Sequence, residues 1–239
     1  MGGAREGPAM DGLAEPVRWA LAAPVYALAY VAAILVFWWM ARRRGLDTPG
    51  IRLLMCTGLI GGLIGANLAQ FVFAGGSGKT IEGGIVGGFI AVVLMKRRLG
   101  IVRPTGDLFA PAIAIGEAIG RIGCFIGGCC YGKVSAVALA VHDHGAERYP
   151  TQLYTSGAAF LTFGVLLAFE RRHVLPENGL FYVQIALFCL SRFAIEFVRE
   201  GNALQLGLTV AQLACFGGIA YAMWKLRPLL LRRVAGVAT

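Results

Sequence analysis

The sequence is poor in charge. Only 15% of its 239 residues are Asp, Glu, Lys or Arg, against 57% hydrophobic, whereas soluble domains carry about 25% charged residues. Such a chain folded in water would leave too much apolar area facing solvent, which excludes a soluble globular protein. The same surplus excludes disorder, because this much apolar side chain does not stay unburied. Histidine is scarce: His142, His144 and His173 are the three, and all lie outside the apolar runs. None of them is an obvious intramembrane base. There is no long linker, no low-complexity tract and no convincing internal repeat. A basic stripe interleaved with aromatics is missing too, so the net charge of +9 does not point to nucleic acid. Glycine is abundant instead, 34 residues without a G-X-Y period, a composition that suits closely packed transmembrane helices. With a mean hydropathy of +0.69, the chain reads as an all-α polytopic membrane protein, a single domain over residues 1–239.

A helix needs about 20 apolar residues to cross ~30 Å of hydrocarbon. Seven stretches qualify: Val17–Met40, Leu53–Ala74, Ile81–Met95, Leu108–Ile126, Leu153–Phe169, Leu180–Val198 and Leu206–Trp224. The third is short. Strands are not expected, because the apolar runs are continuous and do not alternate. Of the 22 Lys and Arg, 14 fall on one set of loops and 6 on the other, with Arg121 and Arg192 inside spans. The positive-inside rule then puts the N-terminus outside and the C-terminus in the cytoplasm, the first span being a retained anchor.

Ionisable groups inside a span are costly and mark candidate sites. At ~1.5 Å rise per residue, Arg121 lies roughly 20 Å above the cytoplasmic face and Arg192 roughly 18 Å. Glu196 stands about one turn higher and Arg199 at the outer boundary, while Glu82 opens the third span from the outer side. Five charges from three helices thus converge on the outer half of the membrane. The spacing of Arg192, Glu196 and Arg199 is i, i+4, i+7 and puts all three on one helical face. Two guanidiniums around a carboxylate leave a positive site suited to phosphate, or else a structural ion pair that seats the helix. Glu117, i, i+4 from Arg121 and nearer the midplane, is accounted for by neutralisation inside the bundle, which does not account for Arg121. Gly83-Gly84 and Gly87-Gly88 come after Glu82 and either give a lipid headgroup room or only pack.

Other chemistries fail on spacing. Gly78-Lys79-Thr80 ends like a phosphate loop, but Phe73 stands where the first glycine belongs. A retinal Schiff base needs a lysine within a span, and the last one offers only Lys225 at its cytoplasmic edge. Cys129 and Cys130 with His142 and His144 match no defensible zinc pattern, so neither metal nor cofactor is called for. Cys56, Cys189 and Cys215 sit singly in apolar spans and read as small buried hydrophobes. Cys124, Cys129 and Cys130 cluster near the outer end of the fourth span.

Three segments carry a resemblance. Gly120 to Gly132, reading GRIGCFIGGCCYG, resembles the G-R-x-G-N-F-x-N-x-E-x-x-G signature of prolipoprotein diacylglyceryl transferases. Tyr149-Pro150-Thr151-Gln152-Leu153-Tyr154 is similar to that family's Y-P-x-Q-L-Y run, and Arg192 to Arg199 to its R-F-x-x-E-F-x-R segment. Gln212, in a T-x-x-Q context, resembles the glutamine downstream of that segment. The resemblance implies transfer of a diacylglyceryl group from phosphatidylglycerol to the lipobox cysteine thiol of a preprolipoprotein, in the bacterial inner (plasma) membrane. It further implies that Arg121 and Arg192 bind or neutralise the phosphate, with Glu196 and Arg199 holding them. Gly83, Gly84, Gln152 and Tyr154 would line the substrate site. Where the signature has two asparagines and a glutamate, this chain has Cys124, Gly127 and Cys129, and its H-G-G segment becomes Glu82-Gly83-Gly84. Glu82 would then take over as the base for the incoming thiol, or only pair with an arginine. Two functions therefore stay open: a lipid-modifying transferase, whose acceptor the changed signature could alter, and a phospholipid-binding or transport protein on the same scaffold.

Overall fold

The computed structural model describes residues 13–74, 81–137, 139–200 and 207–234. Among these it has seven helices: α1 (Glu15–Arg43), α2 (Pro49–Ala74), α3 (Ile81–Arg98), α4 (Gly106–Gly127), α5 (Thr151–Arg172), α6 (Gly179–Glu196) and α7 (Val210–Val234). Five of them, α1, α2, α4, α5 and α6, are long and apolar enough to cross a membrane. Each expected span overlaps a helix and the helical class is shown, while Leu206, where the seventh expected span begins, lies outside the described residues. The apolar exterior agrees. Ile64, Phe71, Leu161 and Met223 are all more than 60% exposed, a placement suited to lipid and costly in water.

Two small strands depart from the all-helical expectation. β1 (Val141–Asp143) and β2 (Ala146–Arg148) pair antiparallel between α4 and α5, with Val141 opposite Arg148 and Asp143 opposite Ala146. His144 and Gly145 make the turn in the left-handed region. Three-residue strands held by a turn carry no alternation that a hydrophobic period could reveal.

The chain divides into two compact units, residues 34–108 and residues 1–33 with 109–239. In the first, α2 and α3 pack along a seam of glycines. A methyl group on Gly65 would stand 2.7 Å from the Gly87 Cα, and one on Gly88 would stand 3.1 Å from the Gly58 carbonyl. Backbones this close require small residues at four-residue spacing. Gly83 and Gly84 belong to this seam, facing Gly65 and Gly62. At the basic end, Arg44 Nη1 pairs with the buried Asp107 at 2.8 Å.

In the second unit the start of α1 runs along α4. Ala33 and Ala29 face Gly116, Tyr26 faces Gly123, and Trp19 and Ala22 face Gly127. Three polar contacts then fasten α4 to its neighbours and hold the hairpin. Arg18, buried in the first turns of α1, donates from Nε to the Ile126 carbonyl at 3.2 Å and from Nη2 to Asp143 at 3.0 Å. It thereby caps an orphan carbonyl of α4 and holds the hairpin. Ser156 of α5 donates to the Ala118 carbonyl of α4 at 2.7 Å.

Candidate functional site

Arg121 and Arg192 are buried in the second unit, 6% and 8% exposed. Each has a glutamate one turn away on its own helix. Arg121 Nε stands 3.8 Å from Glu117 Oε1, and Arg192 Nη1 stands 2.9 Å from Glu196 Oε2. The first pair is the neutralisation expected for Glu117 from the i, i+4 spacing. The second is one link in a longer chain. The Thr209 hydroxyl donates to Glu196 Oε1 at 3.1 Å, and Gln212 Nε2 donates to the Phe193 carbonyl at 3.3 Å.

Thr209 and Gln212 are themselves a capping box. The Thr209 amide donates to Gln212 Oε1 at 2.9 Å, and the Gln212 amide donates to the Thr209 hydroxyl at 3.2 Å. Two amides at the start of α7 are satisfied reciprocally. Gln212, 1% exposed, is thus a structural residue that seats α7 against α6. Its T-x-x-Q spacing before an apolar run is the sequence signal for such a cap.

Arg199 corrects the helical-face reading. α6 stops at Glu196, so Arg199 does not continue the row of Arg192 and Glu196. It pairs with Gly132 in an isolated β-bridge. The segment after α6 is drawn away from the helix by backbone bonds, Lys133 N to the Val198 carbonyl at 2.9 Å and Glu200 N to the Tyr131 carbonyl at 3.4 Å. Gly132 has no room for a side chain, since a methyl there would stand 2.5 Å from the Tyr149 carbonyl and 2.8 Å from that of Val198. The consequence is that Arg199 faces the signature loop. Both Arg199 and Arg121 act electrostatically on the Cys130 thiol.

That loop is shaped by the end of α4. Gly128 N bonds to the Phe125 carbonyl at 3.2 Å and Cys129 N to the Cys124 carbonyl at 3.1 Å, with Gly128 left-handed at φ +73°. This is a Schellman termination, and a side chain on Gly128 would strike the Arg18 guanidinium. The first turn of α5 anchors the two cysteines beyond it. The Thr151 hydroxyl donates to the Cys130 carbonyl and Gln152 Nε2 to that of Cys129, both at 2.8 Å. Gln152 is fully buried, while Tyr154, two residues on, is half-buried. Tyr131 stacks on His144 at 4.4 Å and lies 4.7 Å beneath the Arg148 guanidinium.

Arg121, Arg192, Glu196, Arg199, Gln152 and Tyr154 all belong to the unit of residues 1–33 and 109–239. Glu82, Gly83 and Gly84 belong to the other unit, at the start of α3, and the Glu82 side chain lies outside the described residues. Arg18 and Asp143 are the residues that sequence reasoning missed. Their partnership spans 125 positions, and Arg18 gave no signal beyond a charge at the edge of an apolar run. Among the described residues no group of three or more His, Cys, Asp or Glu is arranged to hold a metal ion.

Residues 17–227 match the family described as prolipoprotein diacylglyceryl transferase. The chain belongs to that family. Among curated members it is similar to the phosphatidylglycerol–prolipoprotein diacylglyceryl transferase of Methylococcus capsulatus, 32% identical over 88% of this chain and 92% of the relative. The Geobacter sulfurreducens transferase is 34% identical over 77% and 78% of the two chains, and the Clostridium tetani transferase 29% over 75% and 82%. Against the prolipoprotein diacylglyceryl transferase signature, Cys124, Gly127 and Cys129 stand where two asparagines and a glutamate belong, and Cys130 follows directly.

Proposed function

We propose that this membrane protein transfers the diacylglyceryl group of phosphatidylglycerol to the lipobox cysteine thiol of a preprolipoprotein, at the outer leaflet of the bacterial inner membrane. In this reading all seven helices span the bilayer, with the N-terminus outside and the C-terminus in the cytoplasm. The observation that carries it is the pair of buried guanidiniums, Arg121 and Arg192, each beside a carboxylate of its own helix. A buried guanidinium costs about 2.5–3.5 kcal/mol on insertion scales, a cost that an anionic headgroup offsets.

The acceptor sulfur attacks the terminal glycerol carbon that bears the phosphate. A C–S bond forms, the C–O bond breaks, and its electron pair leaves on the phosphate oxygen with glycerol phosphate. Arg121 and Arg192 hold the phosphate in planar N–H forks and stabilise the charge that grows on the departing oxygen. Glu196 positions Arg192, and Arg199 adds positive charge from the loop side. Glu82 accepts the thiol proton, with Gly83 and Gly84 letting α3 approach α2 closely there. Gln152 fixes the Cys129 carbonyl, and Tyr154 lines the headgroup side.

Complementation tests the assignment. The chain expressed in a transferase-depleted bacterium restores growth and lipoprotein processing, and the chain carrying Glu117→Ala with Arg121→Ala does not. Membrane-inserted wild-type protein without rescue would favour a phospholipid-binding or transport role.

A further inference from the structure

The three thiols of the signature loop are brought together by backbone geometry. In the Schellman termination of α4, Cys124 occupies the position over which the chain folds back, and Cys129 is the residue folded onto it through the 3.1 Å bond from its amide. In such motifs these two positions frequently make an apolar contact; here both are cysteine. Cys130 comes next, in the left-handed region at φ +63°, anchored by Thr151. The Cys124 sulfur accepts a hydrogen bond from the Tyr26 hydroxyl at 3.4 Å, the three cysteine side chains act on one another electrostatically, and all three are free thiols, half-buried rather than sealed.

Access and electrostatics distinguish this cluster from the other cysteines. Cys129 lines a cavity of about 260 Å³ together with Arg18, Trp19, Gly127, Gly128 and His144. Cys189 and Cys215, also in mutual contact, are buried between α6 and α7, and Cys56 is exposed by itself.

We propose that Cys124, Cys129 and Cys130 form a thiol–disulfide exchange centre that reacts with small or polypeptide disulfides. Cys130 attacks one sulfur of the incoming disulfide, forming a mixed disulfide and expelling a thiolate. Cys124 or Cys129 then attacks the Cys130 sulfur, closing an internal disulfide and expelling the second thiolate. Cys130 enters as the thiolate and the resolving thiol gives up its one proton, which one of the two expelled thiolates or the solvent takes up, so one disulfide is reduced for each one formed. Hydrogen bonds from Cys124 and Cys129, and then the guanidiniums of Arg199 and Arg121, hold the Cys130 thiol well below the ordinary thiol range. A thiolate is the attacking form in such exchange.

The test counts thiols and does not depend on lipid transfer. The full chain carrying Cys56→Ser is reduced, freed of reductant in detergent micelles and mixed with 5,5′-dithiobis(2-nitrobenzoate), whose carboxylates suit the arginine-lined loop. The expected result is a fast phase that releases two nitrothiobenzoates per chain and adds no mass to the protein. Peptide mapping then finds a disulfide joining Cys130 to Cys124 or Cys129. The additional change Cys130→Ser abolishes the fast phase, and Cys215→Ser leaves it intact. Release of one nitrothiobenzoate with a stable adduct on Cys130, or a rate unchanged by Cys130→Ser, would overturn the proposal.

Discussion

The Thr209 hydroxyl donates to the Glu196 carboxylate at 3.1 Å, so the cap that starts α7 also bears on the ion pair of Arg192. Loss of a threonine cap costs about 1 kcal/mol, and Thr209→Ala is expected to lower the thermal midpoint in micelles by a few degrees. It should also weaken phosphatidylglycerol binding through Arg192, with Thr209→Ser restoring both. Wild-type binding by a destabilised Thr209→Ala chain would separate the cap from the site.

Arg121 and Glu117 behave as a unit. Removing one partner of a buried ion pair costs about 3–5 kcal/mol, whereas removing both is far milder. Arg121→Ala is therefore expected to be strongly destabilised, and Glu117→Ala with Arg121→Ala to recover much of the loss while staying inactive. Denaturation midpoints of the two single variants and the double variant give the coupling. Additive losses would mean that the 3.8 Å approach carries no energy.

The α2–α3 seam makes a contrasting prediction. A methyl on Gly65 meets the Gly87 backbone at 2.7 Å, while one on Gly164 meets nothing within 4 Å. Gly65→Ala is expected to destabilise the chain and Gly164→Ala to leave it unchanged or slightly firmer. Equal thermal midpoints for the two variants would reject the seam.

The helices were legible because apolar length reports a span directly. Leu108–Ile126 falls inside α4 and Leu153–Phe169 inside α5. Helix ends were not, because they are set by contacts distant in sequence. Arg199 was placed on the α6 face by counting residues, yet the backbone of Tyr131–Lys133 draws it out of the helix. Arg121 and Arg192 could be found by charge within an apolar run, which is a local property. The Arg18–Asp143 pair joins the first helix to a hairpin of three-residue strands, and no local pattern announces it. Gln212 could have been read as a cap from Thr209 three residues before it.

Glu82 stands at the start of α3, where the family signature has a histidine. As the base for a thiol of pKa ~8.5, it is expected to be needed for transfer but not for folding. Glu82→Gln should abolish transfer in a chain of unchanged thermal midpoint, and Glu82→His should restore it. Full transfer by Glu82→Gln would remove Glu82 from the chemistry.

Direct observation of the acceptor thiol tests the central claim. The purified chain in phosphatidylglycerol vesicles is given a peptide with one lipobox cysteine, and the peptide mass and released glycerol phosphate are followed together. Transfer predicts a peptide heavier by one diacylglyceryl group, one glycerol phosphate per peptide modified, and loss of both with Arg192→Ala. A folded chain that binds phosphatidylglycerol yet leaves the peptide mass unchanged would contradict it.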